Sequence, residues 1–375
     1  MVIIMEDENK NIYRELQLHL DKLPVGFPAT ESGVEIRILK HLFTPEQARL
    51  ALLLMFQPLP LKKIYRKAKK MGYSMEELEK QLDKMYFDGL INRGLVNEEG
   101  LDIKYYANAS LAIGMYEYQL GHLTSEFFKD VESYFDEGFL DEFNRTRIPQ
   151  VRVVPLNQTV DYEQNIATYD DLREIIENIG SPIAVAECIC RQGQDLIRDP
   201  CKKTNLRESC FSFRTAAQVY IERGQGREIS KEEALKILDQ AQKDGLVLQP
   251  ANSQRPMSIC TCCGCCCGLL SHQKTLAEPA QFFATNFYAE VDPDLCVGCG
   301  TCEDRCNLDA IHIEDNIAQV NLKRCIGCGV CIPTCTSEAI KLHKKEEETL
   351  PPRNSAATYL AIMDKKAELA RAGKN

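Results

Sequence analysis

The first half of this chain contains no cysteine, and all eighteen lie between Cys188 and Cys335. Any sulfur chemistry therefore belongs to the C-terminal half. Histidine is scarce, with six residues and no pair at metal-binding spacing. His312 and His343 read as surface or packing residues. The sequence lacks both G-x-G-x-x-G after a strand and G-x-x-x-x-G-K-S/T, so no dinucleotide or nucleotide-hydrolysis loop is visible. The longest apolar run, Leu50 to Phe56, is far too short to span a bilayer. The opening residues turn acidic after four apolar side chains and have no basic n-region or long h-region, which argues against a signal peptide. A cytoplasmic location is expected, where thiols stay reduced and clustered cysteines read as metal ligands. A formal charge of −10 argues against a chain built mainly to hold nucleic acid.

What is present points to an α+β multidomain protein. With 375 residues and 44% hydrophobic content, the chain can bury two or three cores. Residues 1–108 are expected to form a winged-helix-like domain. Thr44, Pro45 and Gln47 make a capping box with proline at the first helical position. A second helix runs to Gly72, and Ser74 starts a third with Leu78, Leu82, Met85 and Tyr86 on one face. Two short strands around "NEEG" then supply the wing. The third helix carries Glu76, Glu77, Glu79 and Asp83, which would repel phosphates and weigh against DNA. Positive charge sits instead on the second helix, at Lys62, Lys63, Arg66, Lys67, Lys69 and Lys70. That face reads as solvated, or as a docking patch for an acidic protein surface.

Residues 109–148 read as a helical linker, with Phe127, Phe128, Tyr134 and Phe135 as packing residues. Residues 149–288 read as a cysteine-rich α/β middle domain: strand character from Gln150, a helix closed by Gly180, and a strand "PIAVAE" delivering Cys188. A second capping box, Ser230 with Glu233, starts a helix that stops at Gly245 before "LVLQP". Residues 344–375 form a tail with a helix.

The strongest signal is a repeat. Cys296, Cys299, Cys302 and Cys306 form C-x2-C-x2-C-x3-C, and Cys325, Cys328, Cys331 and Cys335 repeat it. Gly298, Gly300, Gly327 and Gly329 lie between these cysteines, where the backbone must turn sharply. Residues 289–343 resemble the bacterial ferredoxin module with two [4Fe-4S] clusters. The resemblance implies a crossed ligand pattern, in which the last cysteine of each run serves the other cluster. One cluster then takes Cys296, Cys299, Cys302 and Cys335, and the other Cys325, Cys328, Cys331 and Cys306. Where the family usually has proline after the fourth cysteine, this chain has Asn307 and Thr336. Ile311, Ile313, Val320, Ile340 and Leu342 read as the module's core.

Ten cysteines remain: Cys188, Cys190, Cys201, Cys210, and the six of "SICTCCGCCCGLL", Ser258 to Leu270. As a strand, this stretch would split its thiols between two faces; turns around Gly264 and Gly268 would let them converge. Convergence is the economical expectation, giving at least one further iron–sulfur cluster with Cys190, Cys201, Cys210 and Cys263 as ligands. Zinc is the rival metal, and dithiol chemistry a third possibility. Arg191, Arg198, Lys202 and Lys203 would offset thiolate charge. The "CCG" at Cys262 to Gly264 also resembles a fragment of the cysteine-rich domain of the heterodisulfide reductase family. The CxxC expected to follow it is already committed to the repeat.

The resulting expectation is a multicluster iron–sulfur electron-transfer protein. It would relay low-potential electrons to or from a redox partner protein or oxidoreductase complex in anaerobic metabolism. Two alternatives stand beside it: a redox-sensing DNA-binding regulator, and an oxidoreductase subunit with a catalytic cluster in the middle domain.

Overall fold

The computed structural model describes residues 2–98, 101–155 and 167–373. The chain divides into two compact units, Met1–Arg145 and Thr146–Asn375, within an α+β multidomain architecture. No helix among the described residues is long and apolar enough to cross a membrane.

The first unit contains α1 (Val2–Leu20), α2 (Val34–Leu42), α3 (Pro45–Ala51), β1 (Leu59–Pro60), α4 (Leu61–Ala68), α5 (Met75–Phe87), β2 (Ile91–Glu98), β3 (Leu101–Asn108), α6 (Ser125–Tyr134) and α7 (Leu140–Asn144). Local chemistry sets several boundaries. The Thr44 hydroxyl accepts from the Gln47 N–H at 3.2 Å, while the Gln47 carboxamide accepts from the Thr44 N–H at 2.9 Å. Ser74 and Glu77 close the same box on α5. Gly72 ends the turn after α4 at a φ of 92°, a conformation that costs glycine little. The helix from Pro45 ends at Ala51, five residues before the end of its apolar run.

In α5, Leu78, Leu82, Met85 and Tyr86 are buried, as the 3.6-residue period requires. β2 and β3 pair antiparallel from Ile91↔Asn108 to Glu98↔Leu101, and β1 adds a third strand to β3. All six basic residues from Lys62 to Lys70 are exposed. The acids of α5 serve a purpose their sequence does not reveal. Asp83 accepts from Arg93 at 3.0 Å, Lys104 at 2.6 Å and Tyr106 at 2.8 Å, and Glu79 pairs with the same Lys104 at 2.6 Å. These bonds tie the hairpin to the helix.

The stretch expected as a linker packs within the first unit as far as Arg145. α6 lies against α2, the Phe27 and Tyr134 rings meet in a tilted arrangement with centroids 4.9 Å apart, and Phe127, Phe128, Tyr134 and Phe135 are buried.

The second unit is built on a five-stranded antiparallel sheet. Its elements are α8 (Leu172–Asn178), β4 (Ile183–Glu187), α9 (Ile189–Leu196), β5 (Glu208–Phe213), α10 (Thr215–Glu222), β6 (Gly226–Ile229), α11 (Lys231–Lys243), β7 (Val247–Pro250), β8 (Ser258–Cys262) and α12 (Gly268–Lys274). The strand order is β6-β4-β5-β8-β7. One face packs Val185, Phe211, Phe213, Ile259 and Leu248 against Ile176 of α8 and Leu238 of α11. Ser230 caps α11 through the Glu233 N–H, but the Glu233 carboxylate bonds Arg227. The strand character expected from Gln150 appears as isolated bridges at Val151, Arg152 and Val154, and its continuation lies outside the described residues. Arg152 and Asp170 form a fully buried ion pair, with Asn286 donating to the second Asp170 oxygen at 2.8 Å.

Beyond this sheet come β9 (Phe287–Val291), α13 (Thr301–Arg305), β10 (Ile311–Glu314), β11 (Ile317–Val320), β12 (Ile340–Lys344) and α14 (Ser355–Ala372). β10 pairs β11, and β12 returns to β9. Ile311, Ile340 and Leu342 are buried here, with Ile313 and Val320 packed alongside. The tail helix is docked: Thr358 donates to the Asn252 carbonyl and Tyr359 to Gln150.

Burial works against the Asp83 carboxylate, but the hydrogen bonds from Lys104, Tyr106 and Arg93 outweigh it and hold its pKa below the ordinary value. A depressed folded pKa stabilises above the unfolded value near about 3.9 and is lost as pH falls through the folded one. Asp83→Ala is expected to destabilise the first unit by about 2 kcal/mol near neutral pH. Chemical denaturation across pH should show the gap to wild type closing below about pH 4. A gap independent of pH would contradict the ion-pair account.

Candidate metal centres

The cysteines of the repeat line two cavities. One is bordered by Cys296, Cys299, Cys302 and Cys335, with Val291, Ile313 and Ile340. The other is bordered by Cys306, Cys325, Cys328 and Cys331, with Leu308, Ile311 and Val330. In each case the fourth cysteine of one run faces the cavity of the other. The backbone explains how this is reached. Gly298 and Gly327 take φ values of 64° and 62°, and a Cβ there would meet the Asn316 and Phe287 carbonyl oxygens at 2.3 and 2.1 Å. Gly300 also has a positive φ, but it faces open space, so only its conformation requires glycine.

Backbone N–H groups point at the sulfurs: Ala318 to Cys296 at 3.3 Å, Ala310 to Cys306 at 3.2 Å, and Ala289 to Cys325 at 3.4 Å. Such donors stabilise thiolate ligands and tune a bound cluster. Burial, with Cys306 nearby, pushes the Cys328 thiol up to about 12, so without a metal it holds its proton. Cys299 is exposed, and its sulfur interacts with the Thr301 hydroxyl, which lowers its pKa.

The upstream cysteines do not converge on one point. β8 is a strand, so Cys260 and Cys262 face one side of the sheet while Cys263 falls on the other. The chain then turns at Gly264 and brings Cys265 and Cys266 to Cys263. Cys201 approaches from the loop before β5, 3.6 Å from Cys263 and 3.8 Å from Cys265. The sulfurs of Cys201, Cys263, Cys265 and Cys266 all lie within 4.8 Å of one another. Cys201 accepts from Cys263, Cys265 and Cys266, which holds its pKa far below the usual thiol range and pushes Cys263 and Cys266 above it.

Of the four upstream residues expected as ligands, Cys201 and Cys263 thus meet, whereas Cys190 and Cys210 lie elsewhere. Cys190 bonds Cys188 and Cys267, and Cys210 faces Cys260 across the sheet. Cys265 and Cys266 take their places. Their signal was the turn at Gly264, but which thiols share a face depends on the register of β8. The adjacent Cys262 and Cys263 go to opposite faces, so the CCG pair does not present both sulfurs to one centre.

The four expected cations also separate. Arg191 is fully buried, donating to Ser209 Oγ at 2.6 Å and the Thr261 carbonyl at 2.7 Å, while Arg198 and Lys202 are exposed. Lys203 reaches the Asp304 carbonyl at 2.7 Å.

Asn307 occupies the expected proline position, and its buried carboxamide joins the two cysteine-bearing regions. It accepts from the Gly264 N–H and donates to the Gly245 carbonyl, both at 2.9 Å. A Cβ on Gly264 would meet the Asn307 carbonyl at 2.3 Å. Arg305 adds bonds to the Gln242, Lys243 and Val330 carbonyls. The repeat is therefore built into the second unit, and Cys328 packs against both faces of the upstream cysteine region.

Residues 288–336 match the family model of the 4Fe-4S dicluster domain. No curated protein and no solved structure matches the chain. The match and the four-cysteine group together support an iron–sulfur protein.

Asn307→Ala should leave the buried Gly264 N–H and Gly245 carbonyl without these partners and cost about 2–4 kcal/mol. Anaerobic denaturation of the full chain would measure it. An unchanged midpoint would mean that the anchor is dispensable.

Proposed function

We propose that this protein transfers electrons between partner proteins through several iron–sulfur centres. The carrying observation is the crossing of the two runs, each fourth cysteine lining the other run's cavity. On this reading one [4Fe-4S] cluster is held by Cys296, Cys299, Cys302 and Cys335, and a second by Cys325, Cys328, Cys331 and Cys306. With four thiolates each, neither leaves an iron open for substrate, so both relay electrons. The first lies nearer solvent: Cys299 is exposed, as are Leu295 (46%) and Val297 (66%). Apolar side chains around an exposed ligand suit a transient redox partner.

Cys201, Cys263, Cys265 and Cys266 form a third centre. Cys328 packs against the same hydrophobic cluster as these four cysteines, which favours a further iron–sulfur cluster in the relay. Zinc is the second reading, favoured by compactness: sulfurs within 4.8 Å approach the ~3.8 Å edge of a tetrahedron with metal–sulfur bonds of about 2.3 Å.

The helix, helix, helix, hairpin order of α3, α4, α5 and β2–β3 supports a winged-helix reading of the first unit, used for docking. Its exposed basic α4 fits an acidic protein surface better than a groove reader, because Glu76 and Glu77 remain exposed on α5. A DNA-bound regulator is the reading to exclude.

Cys306→Ser in the anaerobically purified full chain tests the crossed assignment. Low-temperature EPR of the reduced protein should show the second cluster lost or altered, with the signal of the first kept. Loss confined to the first would overturn the crossing. For the first unit, gel shifts at physiological salt should show no preferred DNA site. A single footprint lost on removing residues 1–106 would favour the regulator instead.

A further inference from the structure

Six cysteines lie outside all of these sets: Cys188, Cys190, Cys210, Cys260, Cys262 and Cys267. Cys210, Cys260, Cys262 and Cys267 lie on the side of the sheet opposite Cys263, and Cys188 and Cys190 join them through Cys267. Cys210 and Cys260 are register partners across β5 and β8, and Cys262 follows two residues on, on the same side. Cys260, Cys262 and Cys267 pack with Val247, Leu270, Leu308 and Ile326, with Cys328 against the same group. Cys188 and Cys190 stand at the start of α9. Contacts link the six into a continuous row, from Cys188 to Cys190, Cys267, Cys262, Cys260 and Cys210.

Arg191 supplies a second, independent observation. Its side chain is fully buried and its Nε has no hydrogen-bond partner. The residues it does bond, Ser209 and Thr261, alternate with Cys210, Cys260 and Cys262 along β5 and β8, and the cysteines facing its charge are Cys188 and Cys262 of the row together with Cys201 and Cys263 of the other group. A buried guanidinium without an anion costs several kcal/mol. Neutral thiols provide no such anion, whereas a thiolate-ligated cluster carries net negative charge.

From this arrangement we propose that the six cysteines form a further metal centre, an iron–sulfur cluster on the opposite side of the sheet from the Cys201 group, with Arg191 as a buried counter-charge shared with that group. The inference rests on the iron–sulfur reading of the chain. Six sulfurs supply more than the four ligands that either one tetrahedral ion or one [4Fe-4S] cluster takes, so the row can complete a ligand set by itself. Their row is also more open than the Cys201 group, which is the set found with its sulfurs mutually within 4.8 Å among the described residues. An open row suits a cluster whose ligands sit on different irons. Cys328 packs against the same hydrophobic cluster as Cys260, Cys262 and Cys267, which puts this row, too, near the repeat.

Crystals of the unaltered, anaerobically purified full chain provide the test, using anomalous maps above and below the iron and zinc edges. The expected result is an iron peak bonded to sulfurs of this row, separate from iron at the repeat. A zinc peak, a disulfide or no metal in the row, with iron present at the repeat, overturns this inference alone. Absence of iron at the repeat as well overturns the underlying reading. In solution, Cys260→Ser/Cys262→Ser/Cys267→Ser should lose about four iron atoms per chain while keeping the EPR signals of the repeat. Cys201→Ser/Cys263→Ser should leave those four in place. Retention of full iron and acid-labile sulfide in the triple variant also overturns it.

Discussion

The register of β8 is the constraint on which the cysteine-rich region depends. A strand sends successive side chains to opposite faces, so a run that is continuous in sequence cannot surround one point. Pairing with β5 and β7 sets which residues face which side, placing Cys260 and Cys262 on one and Cys263 on the other. The turn at Gly264 then gathers Cys265 and Cys266 to Cys263, while Cys267 returns to the first side. One five-stranded sheet thereby divides the cysteines into two sulfur-rich groups.

Charge sets a second condition on the same region. Arg191 lies among thiols of both cysteine groups, and its guanidinium is held by Ser209 and two backbone carbonyls. Desolvation opposes its charged form, and Cys188, Cys263, Cys262 and Cys201, when they are thiolates, favour it. Negative charge delocalised over a metal–thiolate centre is the natural partner for such a cation. Burial also raises the pKa of Cys331 and Cys325 in the repeat, so metal binding and deprotonation are coupled throughout this half of the chain.

Attachment of the repeat to the sheet follows from polar contacts with backbone groups. Asn307, Arg305 and Arg324 bond carbonyls or an N–H of the preceding region, with Arg324 reaching the Lys274 and Leu276 carbonyls at 2.7 and 2.9 Å. These residues occupy the ends of the two cysteine runs, so the positions that shape the cavities also fix them to the sheet. Proline at 307 would provide rigidity but no carboxamide for Gly264 and Gly245. The departure from the usual pattern is thus explained by the docking it permits.

Much of this was determined locally and could be read from the sequence. The capping box at Thr44, the helix start at Ser74, the glycine stop at Gly72, the hairpin from Ile91, and the two cysteine runs each depend on residues a few positions apart. Spacing alone therefore carried them. The grouping of the ten upstream cysteines did not follow, because it depends on strand register, and a shift of one residue would exchange the faces. The same limit hid the use of Asp83, whose acid was legible but whose partners on β2 and β3 arrive from ten to twenty-three residues away. It hid Asn307 as well, since its partners lie about forty and sixty residues earlier. Short-range periodicity and backbone conformation are encoded residue by residue; which side chains share a buried space is decided only when distant strands pair and exclude water.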